Sequence, residues 1–162
     1  MAKEIKLTQG KVAIVDDEDY EYLNQFKWFA SKQKNDKFYV GRNIPVSNKK
    51  QSKIWIHRFI MNPEKGMVID HLDGNPLNNQ KKNLRICTHS ENMRNRNLYV
   101  NNTSGFKGVY WHKTTKKWMS YIRINKKSLY LGIYTCPIDA ACAYNEAALK
   151  YHGEFAHLNK IN

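Results

Sequence analysis

The chain has 162 residues, with 27 Lys or Arg against 14 Asp or Glu and a formal net charge of +13. Its 41% hydrophobic content supports a folded core rather than disorder, and its length suits one ordinary domain or two small ones. Three cysteines without a Cys-x-x-Cys exclude a disulfide framework and a structural zinc site, and the cationic excess points to a polyanionic partner, nucleic acid before an anionic membrane surface.

The charge is uneven. Residues 1–53 carry 11 basic and 7 acidic residues, residues 54–98 carry 7 and 4, and residues 99–162 carry 9 and 3. The last third is thus the first candidate for gripping DNA. No apolar run follows Met1–Lys6, so no signal peptide is expected, and no stretch approaches membrane-spanning length. The expected location is the cytoplasm.

From the N-terminus, Ile5-Lys6-Leu7 and Val12-Ala13-Ile14-Val15 flank Gln9-Gly10 and predict a hairpin. Asp16-Asp17-Glu18-Asp19 suits the start of a short helix with solvated acids. Tyr20, Leu23 and Phe26 or Lys27 mark one face at helical spacing. Trp28-Phe29, Phe38-Tyr39-Val40 and Ile54-Trp55-Ile56 predict strands. The loops between them carry Lys32, Lys34, Lys37, Lys49, Lys50 and Lys53, which are either solvated or set for phosphate contacts. His57-Arg58 then sits in an apolar run, either as a structural histidine on a strand or as support for a nearby site.

The chemistry concentrates between Val68 and Asn92. Val68-Ile69 reads as a buried strand ending in Asp70-His71, and Asp73-Gly74-Asn75-Pro76 breaks it. Asn83-Leu84-Arg85 follows. Thr88-His89-Ser90-Glu91 matches a capping box, so a helix is expected from Thr88, with Asn92 in its first turns and Arg94 and Arg96 beyond. An acid, a base, an orienting amide and a second oxygen ligand are the parts of metal-assisted phosphodiester hydrolysis. Cations near Asn92 suit a phosphate substrate.

This pattern resembles the HNH nucleases, and most closely the homing endonucleases of phage introns and intergenic regions. The resemblance implies a ββα unit holding one divalent metal. By position, Asp70 and Asn92 would bind the metal, His71 would be the general base and Asn83 would fix its ring. His57, Arg58, Arg85 and His89 are candidate supporting residues. Asn92 stands where many relatives have His, which favours a hard ion, Mg²⁺ or Mn²⁺, over Zn²⁺.

Leu98–Thr103 reads as a linker. Beyond it, Gly105–Trp111, Lys117–Ile124 and Lys127–Tyr134 predict a three-stranded antiparallel meander with short turns at Thr114-Thr115-Lys116 and Asn125-Lys126. A helix is expected from Cys136 or Pro137 to Tyr151, closed by Gly153. Ala141, Tyr144, Ala148 and Tyr151 mark its packing stripe, so one sheet face would be covered and the other free.

Phe106-Lys107-Gly108-Val109, Trp118, Ile122-Arg123, Leu131-Gly132-Ile133-Tyr134, Ala140–Tyr144 and Gly153–Asn159 together resemble the DNA-binding domain of plant ethylene-response factors, the Apetala family. That family lays the free sheet face in the major groove, which admits strands. By position, Lys107, Tyr110, Tyr121, Arg123 and Tyr130 would face double-stranded DNA. Tyr110 and Tyr130 depart from the Arg and Trp common there, which leaves the target sequence open.

The fold class expected is α+β. Residues 1–53 form a β-rich extension, 54–98 a ββα-metal nuclease unit, 99–103 a linker, and 104–162 a sheet packed on one helix. The implied activity is site-specific DNA cleavage of the homing type in a bacterial or phage-infected cell, with no required protein partner evident. A DNA-binding regulator with a degenerate nuclease unit, and a restriction enzyme of the same class, stay open.

Overall fold

The computed structural model describes residues 1–33, 36–47, 50–94, 98 and 101–161. Lys34, Lys49, Arg96 and part of the expected linker lie outside the described residues. The protein is α+β, with small antiparallel sheets and few helices. It divides into two compact units, Met1–Asn92 and Met93–Asn162.

In the first unit, β1 (Ala2–Lys6) pairs with β2 (Val12–Asp16). Gln9 and Gly10 both take positive φ, +60° and +63°, to close the hairpin. Helix α1 (Asp17–Leu23) begins on three acids, as its N-terminal dipole favours. These acids are more than solvated. Asp16 accepts from Gln80 Nε2 and Lys81 N–H at 3.0 and 2.7 Å, and Glu18 and Asp19 pair with Lys81. They tie the N-terminal hairpin to the segment that precedes Asn83.

Strands β3 (Phe29–Lys32), β4 (Phe38–Ser47) and β5 (Lys50–Trp55) form a meander. The run after Trp55 is a helix, α2 (Ile56–Met61), where the sequence suggested continued strand. The reason is spacing: Ile56, Phe59 and Ile60 recur at i, i+3 and i+4 and pack into the core. Asn62 ends α2 in the left-handed conformation and Pro63 follows, a common helix stop. Strands β6 (Val68–His71) and β7 (Leu84–Cys87) then pair antiparallel, and α3 (His89–Arg94) follows.

A single cluster of Ile5, Ala13, Val15, Leu23, Trp28, Val40 and Ile56 forms the core, with Leu77 packed against it. The backbone joins in, since Ile14 exchanges hydrogen bonds with Leu77 O and Asn79 N at 2.8 and 2.7 Å. Residues 1–53 and 54–92 therefore share one core.

In the second unit, β8 (Val109–His112), β9 (Lys117–Ile124) and β10 (Lys127–Tyr134) lie in the order β10-β9-β8. Asn125 and Lys126 both take positive φ, the requirement of a two-residue hairpin turn matched to strand twist. Helix α4 (Pro137–His152) has Pro at its start and Gly153 at its end. Its buried face is Ala140, Ala141, Tyr144, Ala147 and Ala148, against Val109, Ser120 and Ile122 of the sheet. Tyr151, expected in the stripe, is exposed, and buried His152 instead meets Arg123 O at 3.1 Å. Asn159 bonds both Lys107 and Asn145 main-chain and side-chain groups and straps the C-terminus across the unit.

Gly108 turns the chain into β8 at φ +77°, and a Cβ there would lie 2.1 Å from Tyr144 Cδ2 and 2.6 Å from Tyr121 O. Strain and overlap act together at this position. Gly108→Ala is expected to destabilise the second unit by about 2–4 kcal/mol. A thermal melt unchanged within a degree would refute this packing.

Candidate active site

β6 ends on adjacent acid and base because pairing with β7 holds the strand to its last residue. Register sets Asp70 opposite Arg85 and His71 opposite Leu84. Asp70 is 5% exposed, and its Oδ2 accepts from Arg85 Nη2 at 2.7 Å. A buried carboxylate needs such a partner, since desolvating a lone charge is costly.

His71 is 6% exposed. Its Nε2 meets Asn79 Oδ1 at 3.4 Å, and Asn79 is fully buried. A ring carrying its proton on Nε2 donates to this amide oxygen, which only accepts. Two further rings pack edge-on: His57 at 5.3 Å and Tyr39 at 6.2 Å between centroids. Burial pushes the His71 ring below its ordinary range, against the Asn79 bond and the Asp73 and Asp70 charges. The ring is neutral near pH 7 and able to accept a proton. Burial, with Asp70 adding to it, raises the Tyr39 phenol, which keeps it protonated beside the acid.

Asn83 is buried, and its amide bonds the loop that follows His71. Its Oδ1 accepts from Asp73 N–H at 3.0 Å, and its Nδ2 donates to Asp73 Oδ1 and Asn78 O at 2.9 and 2.8 Å. These bonds brace the Asp73–Asn78 loop. Its main-chain oxygen accepts from Leu72 N–H at 2.9 Å, which anchors the residue after His71. Against the upward push of burial, bonds from Asn75, Asn78 and Asn83 hold the Asp73 carboxyl below its usual range.

The expected capping box is present at α3. Thr88 N–H donates to Glu91 Oε2 at 2.8 Å, and Glu91 N–H donates back to Thr88 Oγ1 at 3.3 Å. Asn92 is half-buried in this helix, and its N–H bonds Thr88 O at 3.1 Å. Buried Cys87 links Asn92 to the strand pair. Burial and the Asp70 charge push its thiol up, and the Asn92 N–H counters them. The thiol is therefore protonated rather than a metal-binding thiolate.

His57 lies in α2, beside His71, with Trp55 stacked at 6.5 Å and 8°. Its Nδ1 is buried without a hydrogen-bond partner among the described residues. Arg58 donates to Met67 O at 3.0 Å and braces the entry to β6. His89 is exposed on α3. The structure thus gathers Asp70, His71, Arg85 and His57, with Asn83 behind the loop. It adds Tyr39 and Asn79, which the sequence reading passed over. Strand alternation holds the signal for Tyr39, since Val40 is buried and Tyr39 must face the other way. Nothing local singles out Asn79 within Asn78-Asn79-Gln80. Lys37 also belongs here, donating to Gly74 O at 2.8 Å.

Burial, then the His71 and Arg58 charges, takes the His57 pKa down to about 3. An unfolded imidazole titrates near 6.5, so between about pH 6.5 and 3 the unfolded chain binds more protons. Stability of the first unit should therefore fall as pH falls through that window, on the order of a few kcal/mol. Urea midpoints at neutral and acid pH would show a smaller drop in His57→Phe. An equal drop in both proteins would count against the assignment.

On the open face of the second unit, Tyr110 is 58% exposed and Tyr130 49%, with Tyr121 between them. Arg123 is exposed on the same face of β9. Lys107 is placed differently. Its Nζ donates to Arg94 O, and burial takes its pKa down to about 8. Its ammonium is occupied by main chain rather than presented on the open face.

A buried acid and a neutral imidazole thus lie at one strand end of the first unit, and the second unit presents an open sheet face with exposed Tyr110, Arg123 and Tyr130. Residues 54–94 match the HNH endonuclease family, and residues 104–154 match the AP2 domain. The HNH endonuclease and AP2 domain models are thus both found in this chain, in that order. Protein 3.8 of Escherichia phage T7 is 43% identical over 63 residues, 39% of this chain and 52% of that protein. The chain thus matches about half the length of this phage relative. An uncharacterized HNH endonuclease of Acanthamoeba polyphaga mimivirus is 29% identical over 162 residues, 95% of this chain and 78% of that protein. No solved structure matches.

Proposed function

We propose that the protein is a site-specific DNA endonuclease of the homing type, with residues 54–98 cutting and residues 104–162 selecting the site. The observation that carries this is His71: buried, neutral, held by Asn79 and set next to Asp70. The HNH and AP2 matches support DNA as the substrate.

In this reading β6, β7 and α3 are the ββα unit of the active site. Among the described residues no three His, Cys, Asp or Glu side chains gather to cage a metal. The donor pair present, the buried Asp70 carboxylate and the half-buried Asn92 amide, fits a hard ion that keeps most of its water. Asp70 and Asn92 would hold one Mg²⁺ (or Mn²⁺), which when bound would stabilise negative charge on the phosphate and leaving oxygens. His71 takes a proton from water, and the oxygen attacks phosphorus in line. The bond to the 3′ oxygen breaks and that oxygen takes a proton from solvent, leaving 5′-phosphate and 3′-hydroxyl ends. Asn79 and His57 keep the His71 ring in place, and Asn83 fixes the loop behind it. Arg85 holds the Asp70 carboxylate in place at 2.7 Å.

The chain has one Asp70-His71-Asn83-Asn92 set. On supercoiled plasmids carrying a target library, open circles should precede linear DNA, and run-off sequencing should place the nicks at one sequence. Plasmid left uncut in Mg²⁺ would overturn the proposal. Linear product with no open-circle phase would replace the monomeric nicking enzyme with a dimer.

A further inference from the structure

The β3-β4-β5 sheet of the first unit has one face in the core and one outside it. Ala30 and Val40 are buried on the inner face, so alternation turns Tyr39, Gly41 and Asn43 of β4 outward. Register adds Phe29 and Ser31 from β3, and Gln51, Lys53 and Trp55 from β5, to that outer face. Tyr39 begins it beside His71, at 6.2 Å between ring centroids, and Trp55 lies 5.9 Å from Tyr39. Lys53 comes next, with Nζ 5.1 Å from the Trp55 ring. Gly41 makes room for this row, since a Cβ there would lie 3.3 Å from the Trp55 ring. Asn43, Gln51 and Lys53 are exposed. The outer face therefore runs from the candidate base to open solvent.

No Asp or Glu stands in β3, β4 or β5. Asp36, in the turn between β3 and β4, is engaged by Lys32 at 2.7 Å. Two ammonium groups are presented. Lys53 Nζ also lies 5.4 Å from the Phe29 ring and 3.4 Å from Ser31 Oγ, so its stem is held flat and one of its three donors is used. Lys37, just before β4, gives one donor to Gly74 O at 2.8 Å, and its charge reaches His71. Arg42 and Arg58 do not add to this face. Arg42 lies over the Phe26 ring at 3.8 Å, and Arg58 donates to Met67 O.

We propose that this outer face seats the DNA duplex beside the bond to be cut, with Lys53 and Lys37 on phosphates and Asn43 and Gln51 donating to the same backbone. Lys, Asn and Gln side chains make such phosphate contacts, which fix register without reading sequence. The occupant follows from charge and continuity: a face without acids that starts at His71 meets the duplex that His71 would cut. The path from His71 through Tyr39 and Trp55 to Lys53 is on the order of 15 Å, about four to five base pairs of rise. Choice of sequence stays with the second unit, and this face supplies grip at the cut. The inference rests on the first unit acting on DNA, and it names the surface that holds the substrate there.

The test uses the full chain without Mg²⁺ and two fluorescein-labelled duplexes of unrelated sequence, each of ~30 base pairs. Lys53→Met keeps the stem over Phe29 and Trp55 and removes the charge. It should lower the slope of log affinity against log salt by about 0.9, and weaken binding about eightfold at about 0.1 M salt. Lys53→Arg should keep both. Gln51→Glu adds a negative charge at an exposed position and should weaken binding of both duplexes. Circular dichroism checks that each variant folds. The proposal is overturned if the parent binds neither duplex, if Lys53→Met leaves the salt slope unchanged, if Gln51→Glu binds as the parent does, or if the losses are confined to one duplex. Plasmid cleavage with Mg²⁺ is scored in parallel. A parent that cuts while Lys53→Met leaves the slope unchanged sinks this inference alone. A slope that falls as expected in a chain that cuts no plasmid sinks the endonuclease reading alone.

Discussion

Replacing His71 by Ala is expected to slow single-turnover cleavage by about 10²- to 10⁴-fold, the usual contribution of a positioned general base, and to leave duplex binding nearly unchanged. The ring acts on water rather than on the grip. It sits 6% exposed between His57 and Tyr39, so it offers DNA little surface. Its burial keeps it neutral, and Asn79 Oδ1 lies 3.4 Å from its Nε2. Rate and affinity should therefore separate. A variant cutting within about tenfold of the parent would remove His71 from the role of base. Loss of binding in step with cleavage would point to a structural part for the ring.

Asp70→Asn should reduce Mg²⁺-dependent cleavage by about 10²-fold or more, equal to the several kcal/mol of charge stabilisation a metal supplies. This position also carries a structural pair, and the two effects need separating. Asp70 and Arg85 are bonded at 2.7 Å, with side chains 6% and 14% exposed. Removing one partner of so buried a pair costs up to about 3–5 kcal/mol, whereas replacing both by apolar groups is often close to neutral. Asp70→Leu with Arg85→Leu should thus recover much of the stability lost by Asp70→Leu alone, without recovering cleavage. If the double variant regained activity as well as stability, Asp70 would be a structural acid. Wild-type rates in Asp70→Asn at ordinary Mg²⁺ would dismiss it as a ligand.

What could be read from residues alone was local or strictly periodic. The Thr88–Glu91 box declares the start of α3 because both partners lie within one turn. Pro137 and Gly153 bracket α4 for similar reasons of backbone geometry. Alternation in β9 placed Tyr121 and Arg123 opposite Ile122. Asp70-His71 stood out because an acid and a base at the end of an apolar run is unusual chemistry. The rest depended on what the fold brought from a distance. Arg85 faces Asp70 only through the β6–β7 register, 15 residues apart in sequence. Tyr39 and His57 reach His71 from β4 and α2, and Asn79 reaches it from a loop tied to Ile14 of the first hairpin. Lys107 looks in sequence like any cation before a strand. Tertiary packing decided its role, because the turn at Gly108 and the Asn159 strap hold it where its ammonium meets Arg94 O. Propensity and periodicity act over a few residues, so they set elements and faces. Side-chain partners across a core are chosen by strand register and by competition for buried hydrogen bonds, and those exist only once the chain has folded.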